Sequence, residues 1–233
     1  GETPMRVGRI TYEILRPVPI APLRVESEVL RDGRRVRLVA ARLYSEEAEV
    51  MRASAWLLRE EPVGLPAGFE PEPPGDAPGD GKPGEFFPTG SDVGYHTGVD
   101  YRFITGEFLE PGPATVWMRL RAPLVAGEEP SPLQRVLVVA DSGNGVSSAL
   151  DWREFIFINV DLTVHLHRLP VGEWVRLDAI TRPEPDGVGV ADTALADECG
   201  ALGRALQTLL VAGAERGPPV VSTFPNDAIS DLR

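Results

Sequence analysis

The sequence predicts an α+β fold in which antiparallel sheets wrap buried helices, built as two copies of one unit. Three observations carry this. The stretch Ile158–Arg168, INVDLTVHLHR, alternates strictly: Val160, Leu162, Val164 and Leu166 are apolar, while Asn159, Asp161, Thr163, His165 and His167 are polar. That is the period of a strand with one face in a core. The same register recurs at an offset of 152, so that ITYEILR (10–16) falls on LTVHLHR (162–168). It holds without a gap from Arg24 on Arg176 to Arg52 on Arg204 and Leu57-Leu58 on Leu209-Leu210. A register kept over that span marks an internal duplication. Third, SPLQRVLVVADSGNG (Ser131–Gly145) reads as one helix, apolar through its middle and therefore buried on most sides.

Taken in order, Arg6–Arg16 reads as a strand, and the Pro-rich RPVPIAP ends it. Leu23–Leu30 alternates again, Asp32-Gly33 signals a hairpin turn, and Arg35–Leu43 and Val50–Leu58 flank an acidic turn at Ser45–Glu49. Residues 61–84 are rich in Pro, Gly, Asp and Glu and show no period, as a linker or loop does. Val99–Phe108 and Ala114–Leu120 are strands joined by EPGP. Ser131 is placed to cap the helix, with Pro132 at its first position and glycines closing it. A second meander follows: Phe155–His167, Trp174–Thr181, Val188–Leu195 and Gly203–Val211. The Ala and Leu content of 189–210 favours helix locally. The aligned first copy, RVRLVAARLY and VMRASAWLL, is β-like, and the repeat argument assigns two strands.

The expected organisation is a partial N-terminal unit at 1–60, a linker at 61–93, a complete C-terminal unit at 94–212 and a tail at 213–233. By the offset Gly1 corresponds to Arg153, so the helix and opening strand of the first unit would lie upstream of residue 1. One apolar helix wrapped by a curved antiparallel sheet is the hot-dog arrangement. The expected fold is a double hot-dog whose first unit lacks its helix, with the two meanders joined in one sheet about a pseudo-two-fold axis.

Composition narrows the function classes. The formal net charge of −12 argues against nucleic acid as the main partner. Cys199 is the only cysteine, which excludes intrachain disulfides and CxxC metal sites and fits a cytoplasmic location. No apolar run reaches transmembrane length. His165 and His167 share a strand face, but zinc needs a third ligand, and the remaining histidine, His96, lies in a glycine-rich loop. Gly143–Gly145 closes a helix and has no phosphate-loop context, and Ser147-Ser148 lack a G-x-S-x-G frame. The arginines of RDGRRVR (31–37) suit a solvated edge or an anionic nucleotide tail.

Two such units in tandem resemble the acyl-CoA thioesterase II family. VDLTVHLHR followed by GEWVRLDA is similar to its pattern of an Asp opening a strand, His-Arg ending it and Glu-Trp beginning the next. ADSGN (140–144) resembles the family's Ser-Asp helix end with the order reversed, and GALGRALQ (200–207) its last strand with a Gln. LRPVPIAPLRVE matches more loosely, and the resemblance spans most of 6–60 and 94–211. It implies hydrolysis of an acyl-CoA or similar thioester by an activated water held by Asp161, Thr181 and Gln207. It implies no metal or organic cofactor, and self-association into a homo-oligomer.

The repeat offers an independent test of these residues. Asp161, Thr181 and Gln207 fall on Arg9, Val29 and Ala55, so all three change type where scaffold positions agree. Each also has a plainer reading: Gln207 as an amide bonded to backbone, Asp161 as solvated surface, Thr181 as a β-prone residue in a strand. A non-catalytic acyl-binding or scaffold module is the alternative function. A dehydratase is a weaker one, since no His-plus-acid helix motif is present.

Overall fold

A computed structural model describes residues 4–89 and 91–214. Among these residues eleven strands form one sheet. They are β1 (Met5–Ile14), β2 (Leu23–Arg31), β3 (Val36–Ser45), β4 (Ala48–Arg59), β5 (Val99–Glu107), β6 (Glu110–Leu120), β7 (Phe155–Asn159), β8 (Asp161–Leu166), β9 (Val175–Pro183), β10 (Val188–Asp197) and β11 (Gly200–Gly213). The spatial order is β2-β3-β4-β1-β8-β11-β10-β9-β6-β5, with β7 paired to β11. Among the described residues three α-helical segments accompany the sheet: α1 (Tyr95–Gly98), α2 (Pro132–Ala140) and α3 (Gly143–Val146).

The two meanders meet at the antiparallel pair β1–β8, where Thr11 faces Thr163 with their hydroxyls 3.1 Å apart. Those two residues are equivalents in the repeat. On either side Ile10 faces Val164 and Tyr12 faces Leu162, which exchanges equivalents across the pair. A strand that pairs with its own copy does this only about a two-fold axis, so the axis passes through Thr11 and Thr163. The continuous sheet expected from the duplication is thus present. It also removes two edges that would otherwise stand open.

Residues 188–197 and 200–211 are strands despite their Ala and Leu content, because each strand lies between partners on both sides whose ladders outweigh local propensity. The expected single helix at 131–145 is instead two pieces. Ser131 accepts from Gln134 N, Gln134 Oε1 accepts from Ser131 N, and α2 starts cleanly. After Ala140 the chain tightens through Asp141 and Ser142, with Ser142 N bonded to Val139 O, and restarts as α3. The turn between β5 and β6 is Phe108-Leu109, and EPGP belongs to β6.

The core lies between α2–α3 and the sheet. Val136, Val139 and Val146 pack with Val116, Met118, Leu162, Val164, Leu177, Leu195 and Ala205, all nearly or wholly buried. Among the described residues no helix covers the equivalent face of β1–β4. All nine residues of β2 are exposed, Val25 at 67 % and Val29 at 56 %.

The segment between β4 and β5, read from sequence as a linker or mobile loop, is pinned. Asp76 accepts from Trp117 Nε1 at 2.7 Å and from Arg176 Nε and Nη2 at 2.9 and 2.8 Å. A 3₁₀ turn spans Pro78–Asp80, and Lys82 bridges to Phe103. Phe86 and Phe87 then join an aromatic cluster with Tyr101, Phe108 and Trp152.

Candidate active site

Thr181, Ala191 and Gln207 lie side by side on β9, β10 and β11. The equivalent row in the first unit is Val29, Val39 and Ala55, paired in the same register. Thr181 and Gln207 face inward with Leu177, Ala179, Ala205 and Leu209. Across three strands they stand roughly 10 Å apart, and α3 bridges them. Gln207 Oε1 accepts from Asn144 N at 2.9 Å. Thr181 Oγ1 and Ser147 Oγ are 2.9 Å apart, and Ser147 gives its one hydrogen to Gly143 O at 2.8 Å, so Thr181 is the donor. Gly143 permits this contact: a Cβ there would overlap Thr193 Oγ1 and sit 3.2 Å from Gln207 Oε1.

Gln207 Nε2 donates to Asp141 O at 2.9 Å and to Asp141 Oδ1 at 3.0 Å. Asn159 Nδ2 donates to the same Oδ1 at 2.9 Å. Asp141 is open to solvent while that oxygen is held. The protein packed around the carboxyl removes part of its hydration although the residue keeps an exposed edge; this pushes its pKa up, and the Asn159 and Gln207 donors draw it part of the way back. Tyr95, from α1, reaches the same end of α2: its hydroxyl donates to Val138 O at 3.0 Å and lies 2.7 Å from Ser142 Oγ. The donors of Gln207 and Thr181 are therefore committed within the protein, and neither is free to hold an oxyanion.

The structure does not bring Asp161 to Thr181 and Gln207. Its Oδ1 accepts from Thr208 N at 2.6 Å, and among the described residues no hydrogen bond joins it to either. The cause is a register slip. β11 pairs Leu206 with Thr163 on β8 and Leu209 with Asn159 on β7, three steps on one side against four on the other. The extra residue, Val160, is a bulge, and a one-residue slip reverses every side chain beyond it. Asn159 consequently points inward to Asp141, while Asp161 faces outward with Thr163 and His165. Sequence reasoning missed Asn159 and passed over Asp141. The available signal was DSGN directly after the apolar helix.

Two family models match the chain: the acyl-CoA thioesterase N-terminal domain over residues 2–58 and the acyl-CoA thioesterase C-terminal domain over residues 70–211. The chain belongs to the acyl-CoA thioesterase II family. Among solved structures it resembles a protein described as a thioesterase II from Thermobifida fusca at 20 % identity, covering 88 % of this chain and 78 % of that one with a TM-score of 0.69. An acyl-CoA thioesterase II from Mycobacterium marinum gives 17 % identity, 91 % and 82 % coverage and a TM-score of 0.68. A hot-dog protein from Alicyclobacillus acidocaldarius gives 16 % identity, 91 % and 80 % coverage and the same TM-score. At these identities the likeness shows the fold, which is the hot-dog fold. Curated proteins give no significant match. No helix among the described residues is long and apolar enough to cross a membrane. As a member of the acyl-CoA thioesterase II family the chain is an acyl thioester hydrolase.

Proposed function

We propose that the chain hydrolyses acyl-CoA, or an acyl thioester on a similar carrier, by direct attack of water beside the α2–α3 turn. The observation that carries this is the row Thr181–Gln207. The duplicated unit keeps the same backbone register there with Val29 and Ala55, so the polar pair answers a need of the second unit alone. In this unit the pair fixes the turn that presents Asp141 to solvent. Gln207 and Thr181 are positioning residues in this reading, acting through α3 and Asp141.

Thioesters need little help beyond an oriented, activated water, and a solvent-facing carboxylate in a fixed place supplies that. The test is an acyl-CoA panel of graded chain length with released thiol detected. Turnover on at least one member is expected. An enzyme inert on every chain length, and on acyl-carrier thioesters, sinks the reading. A second reading, a non-catalytic acyl-binding or scaffold module, draws on the internal commitment of every Gln207 and Thr181 donor. Saturable binding of an acyl-CoA without hydrolysis would favour it.

A further inference from the structure

We propose that the acyl chain of the thioester is held by the first unit: it crosses β1 at Tyr12 and lies along the inward face of β4 and β3. This face, and not the core of the second unit, then sets how chain length is selected. The assignment rests on the hydrolase reading and deepens it.

Among the described residues two apolar surfaces border the Asp141 turn. One is the core of the second unit, and it is closed. Val136, Val139 and Val146 of the helices and Val116, Met118 and Leu177 of the sheet are at most 1 % exposed. A chain entering there would have to displace close-packed side chains. The other surface begins beside Asn159, the residue that holds Asp141 from β7. β1 pairs with β8 so that Tyr12 faces Leu162, and Ile14 N donates to Val160 O, next to Asn159. Leu162 faces the core, so Tyr12 and Ile14 share its side of the sheet. Tyr12 packs against the core cluster from the first unit and stays partly buried. Its desolvation raises the hydroxyl above the ordinary tyrosine range, which keeps it uncharged.

From Tyr12 the face runs on in register. Tyr12 faces Ala53 on β4, Ala53 faces Ala41 on β3, and Ala41 faces Ser27 on β2. Met51 and Leu43 flank this row on one side and Val39 on the other, so its floor is low between bulkier apolar walls. No charge stands in these rows. Glu13, Arg52, Arg42 and Glu26 alternate with them and line up on the opposite face. From β1 to β2 is three strand spacings, about 14 Å. An extended chain advances about 1.2 Å per bond, so about a dozen bonds cross the face. Short acyl groups end at Tyr12, and long ones pass Ala41.

The experiment uses the full chain and a series of acyl-CoAs from butyryl to palmitoyl, with melting midpoints and light scattering for each variant. Ala41→Trp sets an indole on the face beyond Tyr12. It should lower kcat/KM for palmitoyl-CoA about tenfold or more relative to that for butyryl-CoA. Ala40→Trp, one residue away on the opposite face, should keep the wild-type length profile. Tyr12→Ala should raise KM for the long chains with kcat nearly unchanged, the signature of lost binding. Tyr12→Phe keeps the ring and should restore the profile. An active wild type whose Ala41→Trp variant folds and keeps its length profile overturns the assignment alone. So does a Tyr12→Ala variant that loses rate equally on every chain length. A wild-type oligomer that Ala41→Trp dissociates would show the face to be an interface between copies, and that also overturns it. An inert wild type sinks the hydrolase reading itself, and this assignment with it.

Discussion

At the scale of single residues, Asp141 stands out because its placement works against stability. Its carboxyl is raised by burial, so the folded chain holds that proton more tightly than the unfolded chain does. The sign follows from linkage: stability is unaffected below the ordinary aspartate pKa, falls as pH rises through the window up to the raised value, and stays reduced above it. Asp141→Asn removes the titration. It is expected to melt higher than wild type at pH 7, with the difference vanishing in acid below the ordinary carboxylate range. Equal melting midpoints at both pH values would show that the carboxylate is not desolvated. Gln207 is the reverse case, a buried amide with its hydrogens and its oxygen all used. Gln207→Ala strands Asn144 N in the interior, and the cost is about 1–3 kcal/mol. Chemical denaturation should show that loss, and thioester turnover should fall with it. A fully stable variant would mean that water replaces the amide there.

At the scale of elements, the site depends on how closely α3 approaches the sheet. Gly143 makes that approach possible, since any side chain there meets Thr193 and Gln207. Gly143→Ala should lift α3, stretch the Gln207–Asn144 and Thr181–Ser147 bonds and cost about 1–3 kcal/mol, the range for overpacking. Activity should fall further than stability alone explains, because the Asp141 turn moves with α3. A variant with wild-type kcat would show that the turn does not need that contact. The Val160 bulge works at the same scale. β11 is long enough to pair with β10 along one edge and with both β7 and β8 along the other. The extra residue lets the two short strands share that edge out of phase, and it decides which polar side chain enters the site.

At the scale of the molecule, the order of strands sets a problem that residues 60–98 solve. β4 and β5 are seven strand positions apart, a span of about 34 Å. The connecting chain has far more reach than that and is nonetheless fastened at Asp76, at Lys82 and by its phenylalanines. The hydrogen bond from Arg176, aided by that from Trp117, holds the Asp76 carboxyl below its usual range. The contribution of a lowered carboxyl is present above the ordinary aspartate pKa and is lost as pH falls through the lowered value. Asp76→Ala removes the fastening and should speed limited proteolysis within residues 61–84 at neutral pH. Cleavage at the wild-type rate would show that the other anchors suffice.

The sequence by itself determined the units and their relation. Alternation at Leu162–Leu166 and its echo at Ile10–Ile14 are local and repeat properties, and they set the strands, the duplication and the pseudo-two-fold sheet. The same echo overrode helix propensity at 188–211 and aligned Thr181 and Gln207 in one row against Val29 and Ala55. Tertiary structure alone decided which polar side chain of this stretch joins Asp141 and Gln207. Asp161 and Asn159 share a parity in the sequence, and the slip that separates their faces exists only in the pairing of β7 and β8 with β11. The break after Ala140 and the anchoring of Asp76 were hidden for the same reason. Each is set by partners distant in the chain, Gln207 on Asp141 and Arg176 on Asp76, and a pattern read along the chain carries no signal of contacts made across it.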